Sequence, residues 1–153
     1  MKKSSQDLLD MIIKPTLYDL GMDSEEAETL MLGTALAESG GHAITQVEGP
    51  ALGLWQMEPR THNDIHENYI RYRPSLYVRL KAAAQYGGAL PPVPEVMTWN
   101  ARYACAMARI HYRRFQEPLP LTIEEMAEYW KKYYNSPVGR GTVEHFIEAW
   151  RNA

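Results

Sequence analysis

The chain has 153 residues, a length typical of one domain that buries its own hydrophobic core, so we treat 1–153 as a single domain. A formal net charge of −3 argues against nucleic acid or an anionic membrane as a partner. No run approaches the roughly 20 apolar residues of a membrane span, and the N-terminus lacks the apolar stretch of an export signal. The single cysteine, Cys105, excludes an internal disulfide framework and is predicted to be a buried filler.

Helical periodicity dominates the sequence and predicts a mainly α fold. The first predicted helix spans 6–20, with a kink or break at Pro15. The second begins at a capping box formed by Asp23 and Glu26 and ends at Gly40–Gly41. Three more helices are predicted over 59–69, 75–85 and 95–115, followed by one that begins at the capping box of Thr122 and Glu125 and a last one that Thr142 caps.

The helical pattern lapses between His42 and Gln56. Alternating apolar residues on both sides of Gly49–Pro50 are typical of a small β-hairpin or an irregular β excursion. The predicted architecture is therefore an α-helical globule with a minor β element after the second helix.

Glu38 is the candidate for chemistry. It continues the apolar stripe of the second helix, four residues after Thr34, and it lies where that helix ends. The negative end of the helix dipole and apolar neighbours both favour the protonated carboxyl, which raises its pKa. A protonated carboxyl near neutral pH is what a general acid for glycosidic bond cleavage requires. The alternative is an ordinary exposed glutamate at a helix end.

Two motifs adjoin this residue. Glu38–Ser39 is followed by Gly53-Leu-Trp-Gln-Met57 and then Pro59, and Tyr134–Asn135 lies downstream with Gly139–Arg140 after it. This ordered set resembles the signature of the soluble lytic transglycosylases, which belong to the lysozyme-like superfamily. The resemblance covers about residues 30 to 147.

The sequence departs from that signature in places. Tyr133 replaces a small residue, Pro137 replaces a glycine, and the central-helix element is only faintly echoed by Asn100-Ala-Arg-Tyr103.

The resemblance implies a lysozyme-like fold and cleavage of the bond between N-acetylmuramic acid and N-acetylglucosamine in peptidoglycan. Glu38 would protonate the glycosidic oxygen and then take the proton of the C6 hydroxyl as an anhydro ring closes. The residues implied to bind substrate or orient Glu38 are Ser39, Trp55, Gln56, Met57, Tyr134 and Asn135. Trp55 is also the tryptophan we expect to contact a sugar face.

Alternatives remain open at this point. A hydrolytic lysozyme would need a second carboxylate to activate water, for which Glu48 is the candidate, with Glu58 and Asp64 further downstream. A catalytically lapsed domain with a structural or wall-binding role is the third interpretation. Each of these would act on glycan strands or, in a virion, alongside virion proteins.

No cofactor or metal is predicted. His62 and His66 have the spacing of a metal-binding pair, but no third ligand is apparent, which favours surface or capping histidines. We expect a monomer that is made in the cytoplasm without a signal peptide and reaches the cell wall as a virion component or on lysis, which is typical of a bacteriophage protein.

Overall fold

The structure, a computed structural model, describes residues 1–42, 49–136 and 138–153. It is mainly helical, as the periodicity predicts. The helices are Lys3–Asp7, Lys14–Leu20, Glu25–Ser39, Pro59–Asn68, Pro74–Ala84, Val96–Trp99, Ala101–Arg113, Ile123–Trp130 and Val143–Arg151, joined by π-helical segments Leu8–Ile13 and Lys131–Asn135 and a 3₁₀ turn Ile70–Tyr72. None of the described helices has the length and apolar character needed to cross a bilayer.

The predicted β-hairpin is not confirmed. Within the described ranges there is no strand, only one antiparallel bridge between Leu52 and Met57, closed by two backbone hydrogen bonds of 3.0 and 3.1 Å. Most of the predicted excursion, 43–48, lies outside the described residues. The lysozyme-like character of the fold stays a prediction.

Pro15 does not break the first helical region. Proline has no amide hydrogen to donate to the carbonyl of Met11. The chain accommodates this loss by widening into the π-helical turn Leu8–Ile13, and it continues as a helix to Leu20. Of the predicted kink or break at Pro15, the break is wrong, and the helix departs from regular α geometry in the π-helical turn just before the proline.

The helix Glu25–Ser39, here called the Glu38 helix, begins one residue later than the capping box suggested. Ser24, not Asp23, is the N-cap, and its hydroxyl accepts from the amide of Ala27 at 3.0 Å. Gly40 ends the helix with a φ of 68°, as predicted.

The predicted helix 95–115 is two helices. Asn100 leaves the helical conformation and its side chain accepts from the amide of Tyr103, so it caps the second piece, Ala101–Arg113. This second piece, the central helix, is buried from Tyr103 to Tyr112, because its small residues let neighbouring helices approach closely. Cys105 is fully buried there, as predicted.

Thr122 and Thr142 cap the last two helices as the sequence indicates. The final helix, Val143–Arg151, packs its Phe146 ring onto the Glu38 helix at Gly33. A Cβ at Gly33 would lie 2.5 Å from that ring, so only glycine permits the contact.

Gly33→Ala tests this contact. Alanine gains up to about 1 kcal/mol of helix propensity, but overpacking against Phe146 costs about 1–3 kcal/mol. We expect a net loss of about 1 kcal/mol or more in the free energy of unfolding, measured by urea denaturation. In a Phe146→Leu background the same substitution should be neutral or stabilising. An equal loss in both backgrounds would contradict the proposed contact.

Candidate functional site

A cavity of about 590 Å³ opens where the Glu38 helix ends. Small-molecule sites usually measure about 300–1,000 Å³, so the cavity is large enough for a ligand. We call it the main cavity. The side chains and backbone that line it come from four parts of the chain: Glu38, the stretch Ala51 to Thr61, His111, and the stretch Tyr133 to Arg140.

Glu38 is half-buried and forms no hydrogen bond or ion pair with another described residue. Burial removes water from the charged form without supplying a compensating partner, which raises the pKa of this carboxyl from 4.5 to about 7. The direction agrees with the sequence argument, and desolvation is the cause. At neutral pH the carboxyl is therefore protonated in about half of the molecules.

The turn from Gly53 to Gln56 forms the wall next to Glu38. Gly53 has a φ of 77°, and a Cβ on it would lie 2.4 Å from the carbonyl oxygen of Met97, so glycine is required on both counts. Ser39 attaches this turn to the Glu38 helix, because its hydroxyl donates to the carbonyl of Leu54 at 2.7 Å.

This use of Ser39 differs from the expected one. Its oxygen also lies 3.1 Å from the carbonyl of Ala35 and accepts from the amide of Gly41. The hydroxyl is thus committed to the backbone, and Ser39 is not among the residues that line the main cavity. Ser39 therefore has a structural role: its hydroxyl attaches the end of the Glu38 helix to the turn.

Trp55 does not line the cavity either, so the expected sugar contact is wrong. Its side chain is 1% exposed, and its indole N–H donates to the carbonyl of Met31 at 2.9 Å. Burial is favourable for this indole, because its apolar ring is removed from water and its N–H has a hydrogen-bond partner. Trp55 anchors the turn to the Glu38 helix.

Gln56 and Met57 do line the main cavity. Gln56 has a φ of 47°, and its side-chain amide donates to the carbonyl of Gly53 at 2.9 Å, which closes the turn. Its side-chain carbonyl accepts no hydrogen bond from a described residue and so remains available to a ligand hydroxyl. The sequence prediction for these two positions agrees with their placement.

Tyr134 and Asn135 also line the main cavity, and their role in substrate binding stays a prediction. The Tyr134 hydroxyl donates to the carbonyl of Trp55 at 2.6 Å, which closes a bridge between the two walls. Burial and the nearby Glu38 charge raise the Tyr134 pKa well above its usual value, so the hydroxyl stays protonated. The Tyr112 ring lies tilted beside that of Tyr134, with 5.3 Å between the ring centroids, and the Tyr112 hydroxyl hydrogen-bonds to Thr34 at 2.8 Å, which ties the central helix to the Glu38 helix.

His111 is a cavity residue that the sequence did not reveal. Its Nδ1 lies 2.7 Å from the Arg114 guanidinium, which can only donate, so the proton is on Nε2 and is donated to the carbonyl of Tyr133 at 3.0 Å. Burial and Arg114 lower the His111 pKa to about 4. This neutral ring supports the π-helical segment Lys131–Asn135. Only its place in the last turn of a buried helix hinted at such a role.

Asn135 joins this wall to the loop that follows. Its Oδ1 accepts from the Lys131 ammonium at 2.9 Å, and Lys131 also donates to the carbonyl of Gly139 at 2.7 Å. The departures at Tyr133 and Pro137 therefore leave Asn135 in the cavity wall, although Pro137 itself lies outside the described residues.

A second, smaller cavity of about 350 Å³ adjoins the first, and we call it the side cavity. Glu38, Asn135 and Arg140 line both, so Glu38 lies where the two meet.

The candidates for a second carboxylate differ in whether they line the main cavity. Glu48 falls in 43–48, outside the described residues. Asp64 forms an ion pair with Arg114 at 2.9 Å and is not among the residues that line the main cavity. Glu58 does line it, together with Glu38.

The prediction that His62 and His66 are surface or capping residues was wrong. Both are buried, and each has Nε2 2.7 Å from the Tyr103 hydroxyl. Burial lowers the pKa of both, and that of His66 to about 4, so they are neutral parts of a hydrogen-bonded core cluster. Among described residues, no group of three or more His, Cys, Asp or Glu side chains is arranged to hold a metal ion.

The sequence matches no protein-family model, and it has no significant match among curated proteins or solved structures. The function must therefore be inferred from the site itself.

Glu38→Gln should change how stability depends on pH. Because the pKa is raised on folding, the wild-type carboxyl does not lower the free energy of unfolding below about pH 4.5. As the pH rises from there towards about 7, the free energy of unfolding falls. The loss approaches about 3 kcal/mol above pH 7, at about 1.4 kcal/mol per pH unit. Glutamine removes it, so the variant should be the more stable protein at pH 8.5, measured by denaturant unfolding, and about equal at pH 4.

The matched control is Glu67→Gln, which removes an exposed carboxyl. It should leave the pH dependence as in the wild type. A Glu38→Gln protein that follows the wild-type curve at every pH would show that the carboxyl is well solvated.

His111→Leu should loosen the far wall of the main cavity. Removing the donor leaves the Tyr133 carbonyl without its partner, so we expect amide hydrogen exchange in 131–136 to accelerate about tenfold. His111→Gln places an amide N–H near the position of Nε2 and should retain most of the protection. Equal exchange rates in the wild type and the leucine variant would contradict this role for His111.

Proposed function

We propose that the protein is a lytic transglycosylase, which cuts the bond between N-acetylmuramic acid and N-acetylglucosamine in peptidoglycan with Glu38 as the general acid and base. The observation that carries the proposal is the Glu38 carboxyl itself. It is half-buried, it has no hydrogen-bond or ion-pair partner among the described residues, and its pKa is raised to about 7. A group with a pKa near the working pH can both donate and accept a proton in one reaction cycle.

The shape of the site supports the proposal. The main cavity is partly open to solvent, Glu38 lines it, and its walls carry both apolar and hydrogen-bonding groups. Met57 supplies an apolar surface, and the free Gln56 carbonyl supplies an acceptor for a sugar hydroxyl. Such a mixture is typical of sites that hold a sugar in one orientation.

The reaction that we propose has two steps. Glu38 first gives its proton to the glycosidic oxygen, so the bond from that oxygen to C1 of the muramic acid residue breaks. The resulting carboxylate then takes the proton of the C6 hydroxyl as O6 bonds to C1, which closes a 1,6-anhydro ring. The proton lost in the first step is regained in the second, so Glu38 ends as it began.

In this proposal the cavity walls limit the access of water to the Glu38 carboxyl and so keep its pKa raised. Tyr134 spans from the far wall to the Trp55 carbonyl, and its hydroxyl hydrogen is used in that bond, so it positions the wall rather than exchanging protons. Tyr134 and Asn135 are the residues that the resemblance assigns to substrate binding, and both line the main cavity.

A hydrolytic lysozyme is the second candidate, because Glu58 lines the main cavity together with Glu38. An inverting glycosidase needs a second carboxylate about 6.5–9.5 Å from the acid, with a water between them. Glu58 is exposed at the cavity mouth and would be that base. A catalytically lapsed, wall-binding domain within a virion is the third candidate, and it predicts an intact substrate.

Digestion of purified peptidoglycan, with products identified by mass spectrometry, tests these candidates. We expect anhydro-muropeptides from the wild type and a loss of at least about 10³-fold in rate from Glu38→Gln, since general acid catalysis contributes about 10²–10⁴-fold at each step. The rate should also fall as the pH rises through about 7, because the acid is then ionised.

Glu58→Gln is the discriminating variant. It should keep wild-type products and most of the rate if Glu38 acts alone, whereas reducing-end products that vanish in Glu58→Gln would establish the hydrolase. An intact sacculus with every protein would leave the wall-binding role as the explanation. Retained activity in Glu38→Gln would contradict both enzymatic candidates.

A further inference from the structure

The side cavity has an excess of hydrogen-bond donors. Arg140 lines it and forms no hydrogen bond or ion pair with a described residue. Trp130 also lines it, and its buried indole N–H has no partner in the described part of the chain. An unmatched buried donor such as the Trp130 N–H is costly, and the exposed Arg140 guanidinium is accessible, so together they favour a ligand group that accepts hydrogen bonds.

The charge around this cavity has the same bias. Lys131 is not among the residues that line the side cavity, and its partners among the described residues are uncharged oxygens, those of Asn135 and Gly139. Glu38 is the one carboxyl among the described residues that line the side cavity, and it is protonated below about pH 7. Arg140 therefore lines the site without an ion-pair partner among the described residues, on a protein whose formal net charge is −3.

The remaining polar groups of the side cavity do not supply an anion. The Nε2 of His145 lies 2.7 Å from the carbonyl of Ala37, at the end of the Glu38 helix. The hydroxyl of Thr142 accepts from the His145 amide and keeps its own hydrogen free to donate. The cavity therefore offers donors in several directions, as a carboxylate with two acceptor oxygens requires.

We propose that the side cavity is a subsite for a carboxylate carried by the substrate, with Arg140 as the residue that recognises it. This inference rests on the proposed function, since it concerns the same Glu38 site. In a peptidoglycan strand the carboxylates lie on the lactyl group of muramic acid or on the peptide attached there. Binding one of them beside Glu38 places the muramic acid residue, and with it the scissile bond, at the acid.

The consequence is specificity. An uncharged glycan such as chitotetraose carries no carboxylate for Arg140 to bind. Strands that carry carboxylates gain a charge-assisted hydrogen bond, and guanidinium is the group whose paired N–H donors match a carboxylate. Arg140 thus sets the choice between the two kinds of strand and takes no part in proton transfer.

Calorimetric binding at pH 6 to Glu38→Gln protein, in which cleavage is blocked, tests this subsite. Three probes are compared: chitotetraose, a muramic acid tetrasaccharide with free lactyl carboxylates, and the same tetrasaccharide bearing stem peptides. Adding Arg140→Gln should weaken binding of one or both carboxylate-bearing probes about tenfold and leave chitotetraose unchanged. The probe that loses affinity identifies whether the lactyl or the peptide carboxylate occupies the site.

Arg140→Lys, which keeps the charge, should lose less than Arg140→Gln, and Arg71→Gln is the matched control because it removes an exposed positive charge elsewhere. An equal loss for chitotetraose, no loss for any probe, or no binding of any probe would each overturn the subsite.

The outcome is separable from that of the proposed function. Discrimination by Arg140 without cleavage of sacculi would sustain the subsite and remove the enzyme. Cleavage of sacculi without any effect of Arg140→Gln on binding would sustain the enzyme and remove the subsite.

Discussion

Three hydrogen bonds hold the turn from Gly53 to Gln56, and the state of Glu38 depends on them. Ser39 donates to the Leu54 carbonyl, the Trp55 indole donates to the Met31 carbonyl, and Tyr134 donates to the Trp55 carbonyl. The first two bind the turn to the Glu38 helix, and the third binds it to the opposite wall. Because the turn cannot move away, water is kept from the carboxyl that lies between these elements.

The arrangement leaves the carboxyl without a compensating partner in the part of the chain that the structure describes. A residue chosen for stability alone would be paired or exposed, and Glu38 is neither. The protein tolerates this because the rest of the network is well satisfied: Thr34, Tyr112 and His111 all have partners. A destabilised group on a rigid frame is a usual compromise between stability and function, and it fits the role that we propose for Glu38.

Two features of the far wall come from departures from the regular helix. The π-helical segment Lys131–Asn135 turns Tyr134 and Asn135 into the main cavity, and the loop after it carries Arg140 to the side cavity. Regular helical periodicity would have continued to place Tyr134 in the core. The residues opposite the turn thus come from a segment that regular helical periodicity does not predict.

By itself, the sequence determined most helices, because caps such as Thr122 and glycine stops such as Gly40 are local signals. It also indicated Glu38, since a carboxylate on an apolar stripe contradicts its surroundings. It could not show that Trp55 is buried or that His111 reaches the cavity. Those positions depend on contacts between elements far apart in the chain, and such contacts produce no periodic pattern in the sequence. Only the tertiary structure decided which side chains surround the acid.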